Sequence, residues 1–228
     1  MKRCRSRTHS WPTGFGGYNR HRNSDADHRQ LRHTNAVGYA DDPEGYKRAV
    51  EAKLKPENIR FALMFASLLQ MIHERLKLVV LDEVREFYSG GCDDSGRSIV
   101  NEDAYQRDVL DLAPKNKFRA SLLWLVESEA ITLAQADRLN DIYDHRHAVT
   151  HELIKYIVDP DERLDTDLFV EAVEILKAIK RFWAGIMVYT TIDNPAEVDL
   201  DEVFTLDMMV LQHCVDAVIE GTQERASE

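Results

Sequence analysis

Between Lys115 and Asp159 the chain contains neither glycine nor proline. These two residues end helices and shape tight turns, so their absence over so long a stretch favours extended helices over a turn-rich sheet. The segments on either side carry the same signature. Pro56 suits the first turn of a helix, where its missing N–H costs nothing. After it Ile59, Leu63, Ala66, Leu69, Ile72, Leu76, Val79, Val80, Val84 and Phe87 recur at helical spacing. Ser89-Gly90-Gly91 then stops the run. The spacing predicts one helix of roughly 48 Å, or two with a kink.

Further helices follow. Residues 89–101 read as a polar loop and 103–112 as a short helix. Another helix starts near Lys115, with Phe118, Leu122, Leu125 and Val126 inward. Thr132-Leu133-Ala134-Gln135 fits a capping box, in which the first and fourth residues satisfy each other's backbone amides. The helix it opens carries Leu139, Ile142, Val149 and Leu153 on one stripe and ends at Asp159-Pro160-Asp161. A long helix over about 167–189 precedes Asn194-Pro195, and a last one covers about 204–220. No strand, internal repeat or low-complexity tract stands out. The expectation is an all-α fold, an antiparallel helical bundle over residues 51–228.

Residues 1–50 are expected to be a disordered basic arm, poor in apolar periodicity. Residues 1–35 hold eight Lys/Arg against two Asp, a balance of +6 within a chain of net charge −11. Trp11, Phe15 and Tyr18 alternate with Arg20 and Arg22, a mixture that can stack on and neutralise RNA. The plainer alternatives are a leader without function or, less in keeping with its Gly and Pro content, a transit peptide. The remaining chain carries −17. That argues against general, sequence-blind binding to nucleic acid, but leaves room for one small basic cleft.

Other classes are set aside on composition. The best apolar run, Phe61 to Leu81, is interrupted by His73, Glu74, Arg75 and Lys77, so no membrane span is expected. Cys4, Cys92 and Cys214 are odd in number and far apart, which fits a reducing compartment and a cytoplasmic protein. No secretory signal follows Met1.

The segment Asp144-His145-Arg146-His147-Ala148-Val149-Thr150-His151 carries the chemistry. Arg146 falls on the apolar stripe between Ile142 and Val149, where a guanidinium needs a partner or an opening. His147 and His151 are four apart and share a helix face. Arg146-His147-x-x-x-His151 resembles the motif of HEPN-domain ribonucleases: an Arg, a polar residue, three variable residues and a His, on a helix of an all-α bundle. The resemblance covers roughly residues 57–190. It implies a metal-independent endoribonuclease of the toxin or phage-defence kind, in which a ribose 2′-OH attacks the adjacent phosphate and leaves a 2′,3′-cyclic end.

By that resemblance His151 is the general acid or base, Arg146 holds the phosphate and His147 orients it or assists proton transfer. It also implies a homodimer paired across the motif helices, an RNA substrate and an antitoxin partner. It implies no cofactor and no metal. One HEPN toxin group has a tyrosine two residues beyond the last His, a target for adenylylation. Here that position is Leu153, and the nearest later tyrosine is Tyr156.

Spacing alone places Arg146 and His151 about 140° apart on an ideal helix. Either the helix is irregular there, or a second subunit completes the site. Other readings stay open. Arg146 can be a structural arginine paired with Asp82 or Glu83. Asp144, His147 and His151 share a face that can hold a metal, although no Glu-x-x-His occurs in the chain. The domain can also be a non-catalytic HEPN-like module that binds nucleotides or proteins. Lys115, Lys117 and Arg119 form a basic cluster that can line an RNA cleft, and His73 and His213 read as core or boundary residues.

Overall fold

The computed structural model describes residues 42–200 and 205–223. It is an all-α fold with one small hairpin. The first helix, α1, spans Pro43–Lys53. Asp42 caps it, Oδ1 accepting from the Gly45 amide at 2.8 Å. This helix begins inside the stretch expected to be disordered, residues 1–50, and runs three residues past it. It buries no residue, so no apolar stripe announces it. Lys53 ties it down instead: its ammonium donates to the carbonyls of Tyr156, at 3.0 Å, and Glu162. The aromatic and arginine mixture of residues 11–22 lies outside the described residues.

The long helix comes as three pieces in line: α2 over Pro56–Lys77, a π-helical turn over Leu78–Asp82, and α3 over Glu83–Phe87. The π turn has a reason in the sequence. Ile72, Leu76, Val80 and Val84 are all buried at four-residue steps. On a regular α-helix each such step drifts about 40°, so the row would turn away from the core. A wider turn takes up that drift. Leu63 and Phe87, counted on the apolar stripe, are exposed at either end.

Ser89–Cys92 (β1) and Ser98–Val100 (β2) pair antiparallel, where a polar loop was expected. Asp93 builds the turn, Oδ1 accepting from the amides of Ser95 at 2.9 Å and Arg97 at 3.0 Å. Gly96 adopts φ +80° there. The strands are short and lack apolar alternation, so their signal comes from turn chemistry rather than periodicity.

Helix α4 (Glu102–Asp108) and a 3₁₀ turn (Leu110–Leu112) lead to α5 (Lys117–Glu127). Then come α6 (Leu133–His151), α7 (Leu153–Val158), α8 (Thr166–Thr191) and, after a 3₁₀ turn at Pro195–Glu197, α9 (Leu206–Gln223). Helix α2 is central, touching α6, α7, α8 and α9. Leu69 and Ile72 of α2, Leu122 and Leu125 of α5, Ile142 of α6, and Leu168, Ile175, Leu176 and Ile179 of α8 are fully buried in one core. Each contributes about 1.5–3 kcal/mol of apolar burial. No described helix is long and apolar enough to cross a membrane.

Candidate functional site

Helix α6 positions the motif. Its start is the expected capping box: Thr132 Oγ1 accepts from the Gln135 amide at 3.2 Å, and Gln135 Oε1 accepts from the Thr132 amide at 2.8 Å. Leu139, Ile142 and Val149 face the core. That leaves Tyr143, His147, Thr150 and His151 exposed. The helix was expected to continue through Leu153, but it ends at His151. Glu152 leaves helical geometry at φ −120°, ψ 30°, and α7 starts anew.

The break falls after the motif, so α6 is regular from Arg146 to His151. Local irregularity therefore does not bring these two residues onto one face.

The three histidines divide. His145 sits on the inner flank, its Nε2 accepting from the Asp165 amide at 3.1 Å. Its ring meets the buried Tyr156 edge-on at 5.9 Å. It joins α6 to the N-cap of α8. His147 and His151 are exposed, with ring centroids 4.2 Å apart. Tyr143 extends the row, 6.2 Å from His147 and inclined by only 18°.

Arg146 leans over α2, its side chain only 16% exposed. Its Nε donates to Gln70 Oε1 at 2.9 Å, and one Nη lies 3.8 Å from Glu74 Oε1. The partners suggested from sequence, Asp82 and Glu83, do not serve. Glu83 is engaged by Lys180 on α8 at 2.8 Å. Gln70 and Glu74 stand one turn apart on α2, nearer along the helix to Arg146.

Beside them lies His73, buried, its ring 5.5 Å from Tyr143. Among the described residues its Nδ1 has no hydrogen-bond partner; Glu74 Oε1 lies 3.4 Å away. Burial, and then the positive charge of Arg146, push its pKa below the ordinary value, so His73 is neutral at physiological pH. Partial desolvation works against the charge of Glu74, but Lys77, 3.5 Å away, holds its carboxyl below the ordinary carboxylate value.

Gln70, His73 and Glu74 were missed as site residues by sequence reasoning, which read His73 as a core or boundary residue. The available signal was their three- and four-residue spacing, where charge interrupts the run from Phe61 to Leu81.

The site thus offers a guanidinium fixed by the hydrogen bond it donates to a neighbouring helix, and an exposed imidazole pair at the end of its own helix. A guanidinium presents five donors to phosphate oxygens. Imidazoles exchange protons near neutral pH. Among the described residues no three His, Cys, Asp or Glu side chains group so as to hold a metal ion, so Asp144, His147 and His151 do not assemble one. The basic cluster before the motif is partly spent: Arg119 pairs with Asp137 on α6 at 2.7 Å. Comparison with known families, curated proteins and solved structures finds no match to this chain.

Proposed function

We propose that this chain is a metal-independent endoribonuclease of the toxin or phage-defence kind, acting as a homodimer on RNA. The observation that carries the reading is the Arg146 guanidinium held against α2 by Gln70, with His147 and His151 exposed on the same helix. The HEPN-like motif calls for a phosphate-holding arginine and proton-transferring histidines, roles that these residues can take. In the proposed step His151 takes the proton of a ribose 2′-OH. The oxygen forms a bond to the adjacent phosphorus as the bond to the 5′-oxygen breaks. The 5′-oxygen leaves as a hydroxyl after protonation by a second acid, and a 2′,3′-cyclic phosphate remains. Arg146 stabilises charge on the phosphoryl oxygens, and His147 orients the phosphate.

The regularity of α6 supports the homodimer. Arg146 and His151 of one subunit point about 140° apart. A second copy seated across α6 supplies the complementary groups. Ile154, 77% exposed just past the motif, is apolar surface suited to cover. An antitoxin partner fits this reading, although the adenylylation position is Leu153 and Tyr156 is buried.

One observation favours a second reading, a non-catalytic module that binds nucleotides or proteins. Glu74 stands beside Arg146 and offsets the charge that a phosphate needs.

The substrate separates the two. RNA and a 2′-O-methyl copy of the same sequence are incubated with the protein, and the ends of any products are analysed. The ribonuclease cuts RNA to 2′,3′-cyclic ends and leaves the methylated strand bound and whole. Cleavage of both strands overturns the 2′-OH mechanism, and binding without cleavage of either favours the module.

A further inference from the structure

We infer that Tyr143 is a base-stacking residue that restricts this site to unpaired RNA; the inference rests on the ribonuclease reading and gives it a substrate class. The observation is a row of rings. His73, Tyr143, His147 and His151 follow one another at centroid distances of 5.5, 6.2 and 4.2 Å. Three of them come from α6 at four-residue steps, and the fourth rises from α2.

The members differ in burial. His73 is buried and forms the inner end. Tyr143 is 48% exposed between His73 and His147, so part of its ring is open. Contacts to His73 and His147 hold it in place before any ligand arrives. A fixed aromatic face of this kind accepts the π-face of any base. In a duplex both faces of a base are already stacked, so only a loop, bulge or single strand can supply one.

Charge around the row sets the direction of the strand. Asp144 is exposed on the outer side of α6, and Asp141 is paired with Arg138 at 2.8 Å. Phosphates are repelled from the Asp144 side; on α2's side Arg146 attracts them, with Glu74, 3.8 Å away, offsetting part of its charge. A nucleotide whose base lies on Tyr143 has the motif histidines His147 and His151 further along the same face. Tyr143 touches the base and not the reacting atoms, so it determines specificity and takes no part in proton transfer.

The test uses a 2′-O-methyl oligonucleotide carrying one 2-aminopurine, single-stranded or annealed to its complement. It is titrated with the wild-type chain, Tyr143→Phe, Tyr143→Leu and Tyr143→Ala, each checked for helicity by circular dichroism. The wild type quenches the single strand and binds it in preference to the duplex. Tyr143→Phe stays within about twofold, while Tyr143→Leu and Tyr143→Ala bind at least about tenfold more weakly, the loss expected of one stacked base. Folded Leu and Ala variants that bind and quench like the wild type overturn the inference, as does equal affinity for the duplex. A change of oligomeric state without a change in RNA binding also overturns it and makes the row a protein interface.

Cleavage of unmodified RNA keeps the two claims apart. If the wild type cuts and Tyr143→Leu cuts with the same kcat/KM, stacking fails and the ribonuclease stands. If the strand is bound and quenched but unmodified RNA is never cut, the stacking site stands and the ribonuclease fails.

Discussion

Arg146 illustrates how a half-buried cation is made tolerable. The residue stands where the core stripe of α6 meets α2, and it is accepted because Gln70 takes its Nε proton and Glu74 lies near one Nη. His73 is kept neutral by the same neighbourhood, and that has a consequence for stability. The unfolded chain binds a proton on this histidine near pH 6.5, and the folded chain binds it only at lower pH. Between those values the unfolded state holds more protons, so stability falls as the pH is lowered through about 6.5. The groups facing His73 are Glu74 and Lys77 on its own helix and Arg146 and Tyr143 on α6. Urea unfolding at pH 7.5 and 5.5 checks this: His73→Leu should lose less stability on acidification than the wild type. An equal loss in both contradicts the assignment. At this scale the motif residues were named through the HEPN-like resemblance and not through their spacing, and the partner of Arg146 was not legible. Sequence names the acids a helix offers, but register between α2 and α6 decides which of them meets the guanidinium.

The elements that sequence located correctly have a stop or start chemistry of their own. The capping box at Thr132 and Gln135 is one, and the expected bond pair is present. Thr132→Ala removes a cap exposed at the start of the motif helix and should lower stability by about 1 kcal/mol, read by chemical denaturation. An unchanged midpoint would mean that packing of Ala136 and Leu139 alone holds the first turn. Elements without apolar periodicity escaped, even where a cap or a turn residue marked them. Helix α1 buries nothing and depends on Lys53 reaching carbonyls more than a hundred residues later. The hairpin of β1 and β2 rests on backbone pairing and an Asp93 turn. The end of α6 at Glu152 follows no Gly or Pro, because packing of α7 against α1 and α2, rather than a breaker residue, redirects the chain. The π turn was prefigured by the four-residue rhythm of Ile72, Leu76, Val80 and Val84, which a straight α-helix cannot keep buried.

At the scale of the molecule, α2 both anchors the core and supplies Gln70, His73 and Glu74 to the candidate site. The geometry of the candidate site on such a helix is pre-set by the packing of Leu69, Ile72 and Leu76 beside it. The helical class was legible because periodicity survives across every long segment. The proposed homodimer was not, since periodicity within one chain carries no register against a second copy. The most direct test of the central claim is incubation of tRNA and mRNA with the purified protein in EDTA, the wild type beside Arg146→Ala and His151→Ala, with end-group analysis. His151 is exposed, so its replacement should leave folding within about 0.5 kcal/mol while cleavage is abolished. The account predicts 2′,3′-cyclic ends from the wild type alone. Cleavage that survives in a folded His151→Ala protein, or that needs a divalent metal, would contradict it.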